Sequence, residues 1–223
     1  MLKIFTRNEC KLLAMATMLC DHVAVTLVQS EPCYMVMRII GRIAFPIFAY
    51  FLVEGFLHTS NYKKYLLRVG AFALLSEIPF DLAFCGEVLE FSSQNVMFTL
   101  FIALIELYFL RRWEKNIPVV CLVLVAGGLC GWLLRTDYDW FGVVVIGCFY
   151  LIRNTERTLS FYLRAVPFLL YEGIEKYAVF GVCILFLYRE DKERVQLPKY
   201  LFYVFYPAHL LVLWAISLTL GGV

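Results

Sequence analysis

Polar side chains of the kind that build a reaction centre stand here inside stretches of chain that are otherwise apolar: Asp21, His22, Arg38, Arg42, Glu77, Asp81 and Asn95. A histidine in such a place can take and return a proton near neutral pH, arginines supply fixed donors for a developing anion, and carboxylates can orient either. Ionisable groups at membrane depth are costly unless paired or hydrated, so each is a candidate for function or for gluing helices together. Two basic pairs outside the apolar stretches, Lys63/Lys64 and Arg111/Arg112, are of the type that holds phosphate, although such clusters also serve simply to fix membrane orientation.

The elements that must position these groups follow from composition. With 62% hydrophobic and 17% charged residues among 223, and a mean hydropathy of +0.76, the chain is too apolar for a soluble globule. It reads as an all-α, polytopic transmembrane helical bundle, a single domain over 1–223 in contact with the lipid bilayer. About nine membrane segments are expected, near 10–29, 34–57, 65–85, 95–110, 117–134, 139–152, 158–171, 174–188 and 200–221. The sixth, seventh and eighth are short for a hydrocarbon core of about 30 Å.

Lys and Arg alternate between the connections: sixteen of the twenty basic residues fall on the N-terminal flank and on the second, fourth, sixth and eighth connections. The positive-inside rule then places the N-terminus in the cytoplasm and the C-terminus outside. No cleavable signal peptide is expected. A net charge of +2 without a basic, aromatic-laced tract gives no expectation of nucleic-acid binding. Eight cysteines without a CxxC spacing suggest neither a metal site nor a disulfide framework, although Cys33 and Cys85, near outer segment ends, could be bridged.

Depth decides which intramembrane groups can meet. Counted inward from the outer ends, Arg38 and Asp81 both lie about 6 Å deep, and Arg42 and Glu77 both about 12 Å deep. Two ladder-like ion pairs between the second and third segments are the expectation, whether for chemistry or for helix pairing. His22 lies about 10 Å deep, with Asn95 and Thr99 opening the fourth segment from the same side. Asp21 points about 100° away from His22 on a helix, so a carboxylate from another segment, with Glu77 the best depth match, is better placed to orient the ring. Pro46 and Pro79 would open their helices, and Gly41 would let another group approach between the two arginines. His209 beside Pro207, Glu54, His58, Glu106 and the outer Tyr138-Asp139-Trp140 run are read chiefly as structural.

The run Cys20-Asp21-His22, then Arg38-Ile39-Ile40-Gly41-Arg42-Ile43-Ala44-Phe45-Pro46 through Glu54-Gly55-Phe56, resembles the opening of the TraX family, named for the conjugative-pilus acetylase. The resemblance continues through Asn61-Tyr62 and Tyr65, Ser76-Glu77-Ile78-Pro79-Phe80-Asp81, Asn95-Val96-Met97-Phe98-Thr99-Leu100, Asp137-Tyr138 and Phe205-Tyr206-Pro207-Ala208-His209-Leu210, in order across nearly the whole chain.

What the resemblance implies is an integral-membrane acetyltransferase using cytoplasmic acetyl-CoA as acyl donor and no metal. The acceptor would be a peptide amine, a sugar or a lipid-linked glycan at or beyond the outer face. By analogy with transmembrane acyltransferases, His22 would be the general base, or the carrier of an acetyl-imidazole. Arg38, Arg42 or Asn95 would stabilise the oxyanion, Glu77 or Asp81 would orient His22 or hold the arginines, and Asp21 belongs to the same set. Lys63, Lys64, Arg111 and Arg112 would hold the CoA phosphates. The rival class is a transporter or channel whose His, Arg, Glu and Asp residues form an ion or proton pathway, and a third is a non-catalytic membrane scaffold.

Overall fold

A computed structural model describes residues 4–190, 193–198 and 200–220. Lys3, Lys192 and Lys199 of the basic flank lie outside the described residues. The described chain is helical: α1 (Arg7–Leu27), α2 (Glu31–Gly41), α3 (Ala44–His58), α4 (Tyr62–Phe84), α5 (Val96–Trp113), α6 (Ile117–Leu133), α7 (Asp139–Leu151), α8 (Arg157–Leu170), a 3-10 helix (Gly173–Ala178), α9 (Val179–Phe186) and α10 (Leu201–Thr219). Most of these coincide with the expected segments to within a few residues, but two do not.

The second segment is interrupted at Arg42 and Ile43, because Pro46 has no N–H to offer the Arg42 carbonyl and its ring crowds that oxygen. Arg42 N instead donates to both Arg38 and Ile39 carbonyls at 3.2 Å, tightening the last turn of α2. Pro79, in contrast, is accommodated inside α4. The eighth segment divides into the 3-10 helix and the eight residues of α9.

Among the described residues three helical stretches are long and apolar enough to cross a membrane: Arg7–Leu27, Glu31–His58 and Leu201–Thr219. Helices α6 and α7 are apolar but shorter. Asparagines start three helices, with Asn61, Asn95 and Asn116 accepting from the amides of Lys64, Met97 and Val119 at 2.9, 3.0 and 3.3 Å. Each satisfies one of the amides that a helix start leaves without a partner.

The helices group into two compact units, Met1–Phe48 with Thr155–Val223, and Ala49–Asn154. In the first, α1 packs against α2 and α10. Its buried residues Cys10, Ala14, Thr17, Asp21 and Ala24 repeat every three or four positions, a stripe of mostly small side chains along which neighbours approach closely. Asp21 is the single charged member of that stripe. Ahead of α1, Phe5 pairs with Tyr188, and Arg157 donates to the Phe186 and Tyr188 carbonyls.

In the second unit α5 packs against α4, α6 and α7 and buries Met97, Thr99, Ile102, Ala103, Leu104, Glu106, Leu107 and Leu110. Helix α4 buries Tyr65, Val69, Ala73, Ser76 and Phe80, and exposes Leu67, Leu74 and Ile78 on the opposite face. Helices α6 and α7 meet at Gly131, where a Cβ would come within 2.6 Å of the Asp139 carbonyl. Gln94 pairs with Thr136, joining the loops before α5 and before α7.

Candidate functional site

Four of the residues singled out by type and depth come together in the first unit. Arg38 Nη1 donates to Asp21 Oδ2 at 2.5 Å, and Arg42 Nη2 to Asp21 Oδ1 at 3.1 Å. Arg42 Nη1 also lies 3.5 Å from Glu175 Oε1 on the 3-10 helix. Arg38, Gly41 and Arg42 stand at i, i+3 and i+4, one face of α2, and the missing side chain of Gly41 is what admits Asp21: a Cβ there would collide with its Cβ and Oδ1. Each guanidinium thus faces a carboxylate in a largely enclosed space, which offsets part of the cost of holding ions there. Arg42 is the more enclosed, its side chain 8% exposed against 23% for Arg38.

This corrects the expected ladder. Arg38 and Arg42 take Asp21 and Glu175 as their carboxylates, in place of Asp81 and Glu77. Depth arithmetic sets the height of a group and says nothing of the direction in which its helix turns it.

The partner of His22 is likewise different from the Glu77 that depth favoured. His22 Nδ1 lies 2.6 Å from His209 Nε2, and His209 Nδ1 lies 2.7 Å from the Phe205 carbonyl one turn earlier in α10. The two imidazoles are parallel within 6°, Tyr206 stands edge-on to both, and the Phe205 ring stacks on His209 at 4.6 Å. His22 directly follows Asp21, the carboxylate that Arg38 and Arg42 both bond, so the histidine pair and the arginine pair adjoin. Such an arrangement offers a proton acceptor beside fixed cationic donors, the two functions that acyl transfer to an amine or hydroxyl needs.

Glu175 carries no signal in the sequence, since nothing in the short apolar segment it opens distinguishes it. His209, expected to be chiefly structural, is the partner of His22, and its place in the Tyr206-Pro207-Ala208-His209 run is the available signal.

The other predicted residues lie in the second unit and are occupied with local work. Asn95 is fully buried; its backbone N donates to Glu77 Oε2 at 3.3 Å, and its side-chain Nδ2 donates to Glu77 Oε2 and, at 2.9 Å, to the Ala73 carbonyl. With Asn95 Oδ1 capping α5, this one side chain clasps α4 to α5. Asp81, also fully buried, accepts the Glu90 amide at 2.9 Å and so anchors the loop after α4. Lys63, Lys64, Arg111 and Arg112 are exposed. They gather at one end of the α4–α5 pair, where Tyr62 Oη donates to the Leu104 carbonyl at 3.1 Å and the Tyr62 and Tyr108 rings stack at 5.2 Å. Cys33 and Cys85 are free thiols.

The three described helical stretches long and apolar enough to cross a membrane, together with a His–Arg–carboxylate cluster on the helices, are the features of a helical membrane protein with an internal polar cluster. The TraX family model, described as TraX protein, matches residues 6–217, and the chain belongs to that family. It is similar to the probable fimbrial assembly protein FimC, serogroup H1, of Dichelobacter nodosus, at 27% identity over 240 residues that cover 97% of each chain. No solved structure matches the chain.

Proposed function

We propose that the protein is an integral-membrane acetyltransferase that moves an acetyl group from cytoplasmic acetyl-CoA to an amine or hydroxyl at or beyond the outer face of the membrane. The observation that carries this reading is the His22–His209 hydrogen bond at 2.6 Å, on the residue next to the Asp21 carboxylate that Arg38 and Arg42 bond. His22 takes the proton of the acceptor N–H or O–H while the nitrogen or oxygen attacks the thioester carbonyl carbon. The carbon–sulfur bond breaks, coenzyme A leaves as a thiolate and recovers the proton, and an acetyl amide or ester is formed. Arg38, the more accessible guanidinium, offsets the charge that collects on the carbonyl oxygen, and Arg42 holds Asp21 and Glu175 in register. Glu77, Asp81 and Asn95 serve the reaction by holding α4, α5 and their connecting loop.

The CoA phosphates are assigned to Lys63, Lys64, Arg111 and Arg112, whose shared end of the α4–α5 pair supports a common role. A chain crossing the membrane about nine times with its N-terminus in the cytoplasm suits this use. The pairing of Phe5 with Tyr188, both in flanks assigned to the cytoplasm, and of Gln94 with Thr136, both in outer connections, supports it. Among acceptors, a peptide amine, a sugar and a lipid-linked glycan all fit the chemistry, and the fimbrial relative favours the amine of a fibre subunit.

The test is binding of acetyl-CoA against free CoA to the detergent-purified protein, read by thermal shift, with His22→Ala alongside. A saturable shift and slow release of CoA thiol, lost in the variant, is the expected result. No shift at saturating ligand, together with label moving across liposomes, would assign a transporter instead.

A further inference from the structure

We infer that His209 is a positioning residue that holds His22 as the Nδ1–H tautomer and so leaves its basic lone pair on Nε2. The proposal rests on the acetyl-transfer reading for its purpose and on hydrogen-bond logic for its substance. A backbone carbonyl can only accept, so His209 Nδ1, 2.7 Å from the Phe205 oxygen, carries hydrogen and donates. Neutral His209 then has no hydrogen on Nε2, which must accept. The nitrogen 2.6 Å away, His22 Nδ1, therefore donates. In a neutral imidazole the second nitrogen is then unprotonated, and His22 Nε2 is the group that can remove a proton.

The opposite polarity disarms the site. If His209 carried hydrogen on both nitrogens, His22 Nδ1 would have to accept, its Nε2 would bear the hydrogen, and no lone pair would remain for the acceptor. Histidine free in water favours neither arrangement strongly enough to hold the active one, so the order of donors along Phe205, His209 and His22 is what selects it. When His22 Nε2 takes the acceptor's proton, its Nδ1–H becomes a charge-assisted donor to His209 Nε2, and the bond that oriented the base also stabilises the imidazolium.

The rings are also kept from turning. Phe205 lies against His209 with 16° between planes, and Tyr206 meets both imidazoles edge-on. In hydrolytic triads a carboxylate orients the base. Here Asp21, the adjacent carboxylate, has an oxygen on each of Arg38 and Arg42. A neutral imidazole does the orienting without adding a charge to the site.

The experiment uses the full chain in lipid nanodiscs with 15N-labelled histidine, of which there are three. His58, exposed, is assigned by its loss in His58→Gln. Nitrogen shifts report the tautomer directly, and the expected result is Nδ1–H for both His22 and His209. His209→Gln keeps an oxygen acceptor near the Nε2 position and is expected to retain the His22 tautomer with kcat within about tenfold of wild type. His209→Leu is expected to scramble the tautomer and lower kcat by roughly 100-fold, the low end of general-base effects, with KM for acetyl-CoA unchanged. Nε2–H on His22 in the wild type overturns the proposal without recourse to any variant. So does full kcat in His209→Leu. Nδ1–H on both histidines in a protein that transfers no acetyl group upholds the positioning and overturns the acetyl-transfer reading alone.

Discussion

The carboxylate of Asp21 stands in the space that a side chain on Gly41 would fill. One missing Cβ on α2 is therefore the condition for both arginines of that helix to share one acid on α1. Gly41→Ala should overpack this contact, costing about 1–3 kcal/mol and displacing Asp21 from Arg38 and Arg42. Thermal unfolding in detergent and CoA-thiol release measure the two effects. Wild-type stability together with wild-type turnover in Gly41→Ala would sink the account of why α2 carries glycine there.

The two arginines should not be equivalent. Arg42 is more enclosed and reaches both Asp21 and Glu175, whereas Arg38 bonds Asp21 from a partly exposed position. Removing one member of a buried ion pair leaves the others uncompensated, so Arg42→Gln should cost about 3 kcal/mol or more and Arg38→Gln about 1 kcal/mol or less. Activity should follow a different order if Arg38, the more exposed of the two, has the proposed role at the carbonyl oxygen. Denaturant midpoints and turnover of the two variants, measured side by side, decide this; the reverse order of stabilities would remove Arg42 from the centre of the network.

The helices were legible because apolar runs mark them. Rotation about each helix axis was the missing information. Rise per residue gave Arg42 and Glu77 the same expected depth, yet Arg42 turns to Asp21. The inward turn of Asp21 could have been read from Cys10, Ala14, Thr17 and Ala24, whose spacing puts it in the same stripe. Glu175 could not, because it stands on a 3-10 helix of six residues, too short for any period to show. The break at Arg42 follows from Pro46, whose effect on the preceding turn the sequence does state.

Glu106 occupies the core of the second unit at 3% exposure, with neither carboxyl oxygen hydrogen-bonded among the described residues. It fits only because Gly127 on α6 and Gly147 on α7 leave space, a Cβ at either coming within 2.6 and 2.8 Å of its oxygens. Burying a carboxyl without partners is costly, and an apolar group of similar shape removes that cost. Glu106→Met should leave the thermal midpoint unchanged or raise it. A fall in turnover at full stability would show instead that the carboxyl takes part in function.

Asn95 is both cap and clasp, so its substitutions should separate the two jobs. Asn95→Asp retains an acceptor for the Met97 amide but exchanges the donor facing Glu77 for a second carboxylate. It should be less stable than Asn95→Ser, which retains a cap and adds no charge, although capping alone would rank the two residues as near equals. Each loses the Nδ2 bond to the Ala73 carbonyl, so the difference between them isolates the repulsion from Glu77. Equal unfolding midpoints would mean that a second carboxylate beside Glu77 costs nothing.

Glu114, just beyond α5, accepts from Arg153 Nη2 at 2.7 Å and from Tyr150 Oη at 3.1 Å. The Arg153 bond first, and the Tyr150 bond second, hold its carboxyl below the ordinary range. A group lowered on folding contributes stability that is complete above its unfolded pKa, about 4.3 for Glu, and that disappears as pH falls through the lowered folded value. Glu114 is 42% exposed, so solvent screening limits the contribution to about 0.5 kcal/mol. At neutral pH Glu114→Gln should therefore unfold slightly earlier than wild type, and the gap should close as the medium is acidified below the ordinary carboxylate range. Because the substituted amide does not titrate, a gap that persists undiminished into strong acid would mean that the pair acts through shape rather than charge.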